Sequence, residues 1–151
     1  MRIMSNNLSM IVFDCDGTIV DSQRAIVGIM QQTFALHNLK LPKHEEVLSG
    51  IGLELNVGIE RLLPERHGLD IKKLCKTYRN LAAKKRENRK FGDPLYPDAE
   101  NVIRSLHADG WLLGIATGKS RVGLDYVLNS YKLSQLFVTK QTSDTAAGKP
   151  N

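Results

Sequence analysis

Cysteine is scarce in this chain: it has two, Cys15 and Cys75, too few for a disulfide-stapled fold, and both are expected to be reduced. Cys15 stands between two acids, whereas Cys75 falls on an apolar helix face and reads as a small core residue. Long apolar runs are missing as well, since none approaches the roughly 18 residues of a membrane span. The opening "MRIMSNNLSMIVF" carries Arg2 and a short apolar run. It leads into "DCD" and not into a small-residue cleavage site, so no secretory signal is expected and the cytoplasm is the default. Aromatics are few, at 6%, and none interleaves with the basic run "KKRENRK" at residues 84–90. With no zinc-finger or ribonucleoprotein signature either, a net charge of +5 does not make nucleic acid an expected partner. The basic run reads as the solvated end of a long helix, and a mildly positive surface would attract anionic metabolites. His37, His44, His67 and His107 show no metal-ligand spacing. Internal repeats and low-complexity tracts are absent, and nothing in the pattern fixes an oligomeric state.

What is present begins with "MIVFDCDGTIVDS", residues 10–22. Met10 to Phe13 lack the alternation of a half-wet strand, which predicts a strand buried on both faces in a parallel sheet. Asp14 then stands at the carboxyl end of that strand, the edge of an open α/β sheet where ligands bind. Alternation directs Asp14 and Asp16 to one side and Cys15 to the other, so that two carboxylates converge. Two acids abutting a buried strand are hard to explain by stability and point to function.

Beyond this point the patterning changes twice. Stripes at spacings of three and four predict helices: Ile26, Ile29, Met30 and Thr33; Leu55, Ile59, Leu62 and Leu63; then Ile71, Leu74, Cys75, Tyr78, Leu81 and Ala82. Breaks fall at "LKLPKH", "SGIG" and "LPERHGLD". From Gly92 the α/β rhythm resumes, with a helix in "YPDAENVIRSLHADG", a strand in "WLLGIAT", a helix in "SRVGLDYVLNSYKL" and a strand in "LFVT". The order predicts an α/β core of the doubly wound parallel type, with about three strands, at 1–21 and 91–151. A helical cap is inserted at 22–90. An insertion placed just beyond the paired aspartates is able to fold over the strand ends as a lid that excludes water.

"FDCDGTIVDS", "GIATGKS" and "GKP", in that order with a helical block between the first two, resemble the first three motifs of the haloacid dehalogenase superfamily. The likeness is to its phosphatases with a helical cap, similar to phosphoglycolate phosphatases. It implies a magnesium-dependent phosphate monoester hydrolase acting on a small phosphorylated metabolite. Asp14 would attack phosphorus to form an aspartyl-phosphate, and Asp16 would be the general acid and base. Mg2+ would be bound through the Asp14 carboxylate and the main-chain carbonyl of Asp16. Gly17 permits a tight turn. Thr117 and the amide of Gly118 would hold the phosphoryl oxygens, and Lys149 would offset their charge. Gly50 and Gly52 would form the cap loop that reads the leaving group.

Taken singly, some of these residues have plainer readings. Thr117 could cap the helix starting near Ser120, Lys149 could be a solvated lysine, and Gly50 and Gly52 could form an ordinary turn. Asp21 and Ser22 read as the cap of the first inserted helix. "GIATGKS" is not a nucleotide-binding loop, because only three residues separate Gly114 from Gly118 where that loop has four. A sugar phosphomutase and a phospho-accepting signalling module are the alternatives within reach of the same residues. The family's fourth motif, an acidic pair on a further strand after the lysine that completes the magnesium site, is expected to be missing, because the sequence stops at "GKPN". The expectation is therefore a fragment with "MIVF" on an exposed sheet edge, one sheet face uncovered, a tendency to self-associate and little activity.

Overall fold

The computed structural model describes residues 9–65, 68–88 and 93–146. Three strands, β1 (Met10–Phe13), β2 (Leu112–Ala116) and β3 (Phe137–Gln141), form a parallel sheet in the order β1-β2-β3. Met10 to Phe13 pair in register with Leu112 to Ile115, whereas the β2–β3 register shifts between Leu113 and Gly114. Parallel neighbours require long crossovers. Between β1 and β2 run α1 (Gln23–Leu36), α2 (His44–Leu48), α3 (Leu55–Arg61), α4 (Ile71–Glu87) and α5 (Ala99–Ala108). Between β2 and β3 lie α6 (Arg121–Ser130) and a 3-10 turn at Ser134–Leu136. The short α2 is an addition to the expected helices. Its 5 residues are too few to show a stripe, and its first turn is fixed by the Glu46 carboxylate, which accepts from the Lys43 amide at 2.7 Å.

Ile11, Phe13, Leu113, Ile115 and Phe137 pack with Ile103 of α5 and with Leu124, Val127 and Leu128 of α6. The Phe13 and Phe137 rings meet edge to face at 6.3 Å. On the other face Met10 and Val12 are 46% and 56% exposed. Burial along β1 therefore alternates, and the expectation of a strand buried on both faces is corrected. The reason is topological: α5 and α6 lie on the same face of the sheet, and among the described residues no element covers Met10 and Val12. An unbroken apolar run reports which residues are apolar, not how many layers cover them. Gly114 lies between these side chains on the exposed face; a Cβ there would come within 3.0 Å of Thr139 Cγ2 and 3.5 Å of Met10 Sδ.

A second apolar cluster joins the helical block. Val27, Met30 and Phe34 of α1 meet Val47 of α2, Ile59 of α3, and Leu74 and Cys75 of α4. Each large side chain buried here contributes about 1.5–3 kcal/mol relative to exposure. Asp70 starts α4 by accepting from the Lys72 amide at 2.9 Å.

The chain leaves the sheet and returns to it along paired segments. The Cys15 carbonyl accepts from the amides of Thr18, Ile19 and Val20, a knot that requires Gly17 at φ +81°. The Asp21 amide then donates to Pro94 at 2.8 Å and the Tyr96 amide to Ile19 at 3.0 Å. Outgoing and incoming segments thus lie side by side and set the helical block over the end of β1.

Candidate active site

Asp14 follows the last residue of β1, and its Oδ1 accepts from the Cys15 amide at 2.7 Å. Two residues on, Asp16 Oδ1 accepts from Ser22 Oγ at 2.6 Å and meets Lys119 Nζ at 2.8 Å. The Lys119 and Asp16 side chains are only 17% and 12% exposed, so this pair is not a surface salt bridge. Burial pushes the Lys119 pKa down, but the neighbouring Asp16 carboxylate more than offsets it and the ammonium ends above the ordinary lysine value. Between the acids Cys15 points into the core, where burial, then Asp16, pushes its thiol up to about 12. A thiol held protonated in this way is neither nucleophile nor metal ligand.

Ser22 was expected, with Asp21, to cap the first helix. It does occupy the position before α1, but no side-chain cap bond forms and its hydroxyl is given to Asp16 instead. Completely buried, it is part of the site.

Directly after the neighbouring strand β2 comes Thr117, whose amide donates to Gln141 at 3.0 Å and whose hydroxyl accepts from the Lys119 amide at 3.2 Å. The cap of α6 is Ser120, which accepts from the Gly123 amide at 3.3 Å, so Thr117 does not have that task. Gly118 is in close contact with the helical block. A Cβ there would fall 2.6 Å from the Leu53 carbonyl oxygen and 3.0 Å from that of Gly52. Gly52 itself, at φ +93°, lies beside the nucleophile candidate, its missing Cβ 3.6 Å from Asp14 Oδ2. Gly50 and Gly52 make a turn, the Leu53 amide donating to Gly50 at 3.2 Å, and that turn lies over Asp14 and Gly118.

Beside this contact is a cavity of about 430 Å3 between sheet and helical block. Its wall includes Asp16, Gly52, Gly118 and Lys119, but neither Asp14, which lies beside the Gly52 turn, nor Thr117. Its wall also carries Arg79, Lys85 and Arg86 together with the acids Glu54, Asp93 and Asp144, and the Tyr126 hydroxyl of α6 donates to the Arg86 carbonyl at 3.3 Å. The basic run was expected to be only a solvated helix end. Lys84 is exposed, but Lys85 and Arg86 are half-buried and face the cavity.

Of the expected residues, the structure brings Asp14, Asp16, Gly52, Thr117 and Gly118 to one end of the sheet. Lys149 lies outside the described residues. Sequence reasoning missed Lys119 and Ser22. For Lys119 a signal existed, since a lysine three residues past the end of β2 is carried toward the same edge as Asp16.

The profile of the haloacid dehalogenase-like hydrolases matches residues 11–151, and the chain belongs to that family. Among curated proteins, pyrophosphatase PpaX of Anoxybacillus flavithermus is 30% identical over 91% of this chain and 61% of its own length. A phosphoglycolate phosphatase of Aliivibrio fischeri is 26% identical over 98% of this chain and 67% of its own. The chain thus spans about three fifths to two thirds of the length of these relatives. A crystal structure of a Bacteroides fragilis protein classed as a haloacid dehalogenase-like hydrolase superposes with a TM-score of 0.82 at 21% identity, covering 95% of this chain and 68% of that one; it supports the fold. No helix among the described residues is long and apolar enough to cross a membrane.

Proposed function

We propose that this chain carries the nucleophile, proton-transfer and helical-cap portions of a magnesium-dependent phosphate monoester hydrolase. The observation that supports the reading best is the meeting of Asp14, Gly118 and the Gly52 turn at the end of β1 and β2. A carboxylate, a strand-end amide and a covering loop are what an in-line attack on phosphorus needs.

In the first step Asp14 attacks phosphorus, a new P–O bond forms, and the bond to the leaving alcohol breaks as Asp16 delivers a proton to that oxygen. In the second, Asp16 takes a proton from water as it attacks the aspartyl-phosphate, freeing inorganic phosphate and Asp14. Ser22 and Lys119 both hold Oδ1 of Asp16, which fixes its orientation and leaves Oδ2 for proton transfer. Thr117 and Gly118 orient the phosphoryl oxygens, and Lys149 adds positive charge. The Gly52 turn must withdraw from Asp14 to admit substrate and return to exclude water.

The donor chemistry is compatible with a hard cation. Asp14 offers a carboxylate. The carbonyl of Asp16 is not used by the turn's own amides, which go to the carbonyls of Cys15 and, from Gly17, Val20. Among the described residues no three acidic, histidine or cysteine side chains gather, so these two oxygens are a partial ligand set. When bound, Mg2+ would supply charge neutralisation for the phosphoryl oxygens. PpaX and the phosphoglycolate phosphatase among the relatives favour a small phosphorylated metabolite as substrate.

The test is magnesium-dependent release of phosphate from p-nitrophenyl phosphate, compared with Asp14→Asn. Release that Asp14→Asn leaves undiminished would exclude the assignment.

A further inference from the structure

On the cavity wall the phosphoryl chemistry is represented by Asp16, Gly118 and Lys119; with the Gly52 turn withdrawn from Asp14 the ester reaches the nucleophile from this side, and the remainder of the cavity is space for the leaving group. That space is bounded on the helical side by Ile26, Ile29 and Met30 of α1, Leu55 of α3, and Tyr78 and Ala82 of α4, with Leu53 at its mouth. At about 430 Å3 the cavity falls in the range, about 300–1,000 Å3, of pockets that bury drug-sized ligands. A two-carbon acid such as glycolate would leave most of it empty. The wall is largely isoleucine, leucine and methionine, where an unpaired carboxylate is costly, and its charged residues include the acids Glu54, Asp93 and Asp144 as well as Arg79, Lys85 and Arg86. Burial of apolar ligand surface here is instead favourable.

Resting on the phosphatase reading, we infer that the substrate is a monoester of phosphate with a bulky, largely apolar alcohol, of aryl or branched-alkyl character. The ester oxygen lies toward Asp16 and Lys119. The apolar body extends along α1 and α4.

Binding to the Asp14→Asn form, measured by calorimetry, tests this without requiring turnover. The probes are 1-naphthyl phosphate, phosphoglycolate, 1-naphthol and inorganic phosphate. The expected result is that 1-naphthyl phosphate binds at least about tenfold tighter than phosphoglycolate and than 1-naphthol. Leu55→Asp, at the start of α3, and Ile26→Asn, both on the cavity wall, should each remove most of that preference. Circular dichroism checks that both variants are folded, and inorganic phosphate should bind them unchanged. Phosphoglycolate binding as tightly as the naphthyl ester, or a preference that survives both variants, overturns the inference while the phosphatase reading stands. So does failure of the naphthyl ester to bind where inorganic phosphate does. Equal affinity for 1-naphthol and its phosphate, or no binding of inorganic phosphate, overturns the phosphatase reading itself and the inference with it.

Discussion

The sheet's wall of the crevice presents Asp16, Gly118 and Lys119, held by backbone turns and an ion pair, while the facing wall on α1, α3 and α4 presents Ile26, Ile29, Leu55 and Tyr78. Each polar group on the first wall is fixed from at least two directions. Asp16, for example, is held by Ser22 from the outgoing segment and by Lys119 from the end of β2. The second wall consists of side chains whose neighbours are other apolar side chains. One surface is therefore suited to a reaction that tolerates little displacement, and the other to a ligand body of adjustable shape.

The sharpest way to separate the walls is to alter one and read the other. Asp14→Asn is nearly isosteric, so the fold should be retained while turnover falls by about 10^4-fold or more. Equal thermal melting of the two proteins, with steady-state phosphate release, checks both halves of this statement. Next in size is Lys119→Met, which leaves the Asp16 carboxylate largely buried beside an apolar group. Breaking such a pair costs about 3 kcal/mol, whereas a surface pair would cost under about 1 kcal/mol. Urea unfolding measures it, and Asp16→Asn added to Lys119→Met should recover much of the loss, because the uncompensated charge is then gone.

How much of the two walls could be read from the chain follows from the same contrast. Asp14, Asp16, Thr117 and Gly118 stand at strand ends, where position along the chain translates directly into position in space. Their shared edge was therefore legible. The contact of Gly52 with Asp14 and Gly118 was not, since it depends on how the helical block is set by the pairing of Asp21 with Pro94 and of Tyr96 with Ile19. Ser22 was illegible for another reason: serine before a helix has a common capping role, and only proximity to a buried carboxylate distinguishes this one, whereas Lys119 was signalled by its place just past β2. The helix stripes identified the second core, including Met30, Ile59, Leu74 and Cys75, yet a stripe does not say which part of its width faces another helix and which part, like Ile29, lines a cavity.

A smaller effect addresses the seam between the walls. Gly118→Ala would place a methyl carbon 2.6 Å from the Leu53 carbonyl oxygen, a separation that must be relieved by moving the Gly50–Leu53 turn. Overpacking of this kind costs about 1–3 kcal/mol. The expected readout is faster proteolysis within residues 49–54 and weaker substrate binding, with the helical block's own core unchanged. If cleavage is no faster, the turn does not rest on Gly118 in solution.

The smallest expected effect lies beneath the sheet's wall, at Cys15. Its thiol, ordinarily titrating at 9.0, is held protonated in the folded chain up to about 12. Because the folded value is the higher one, the stabilising contribution is complete below pH 9 and is lost as pH rises toward 12. Over that window the cost approaches at most about 1.4 kcal/mol per pH unit. Cys15→Ser keeps the size of the side chain nearly constant and removes the titration, so its melting temperature should fall less steeply than that of the parent between pH 9 and 10.5. Below pH 8 the two slopes should coincide. Parallel slopes throughout the alkaline range would mean that the thiol ionises without opening the core, and that the acids above it are less tightly seated than their contacts indicate.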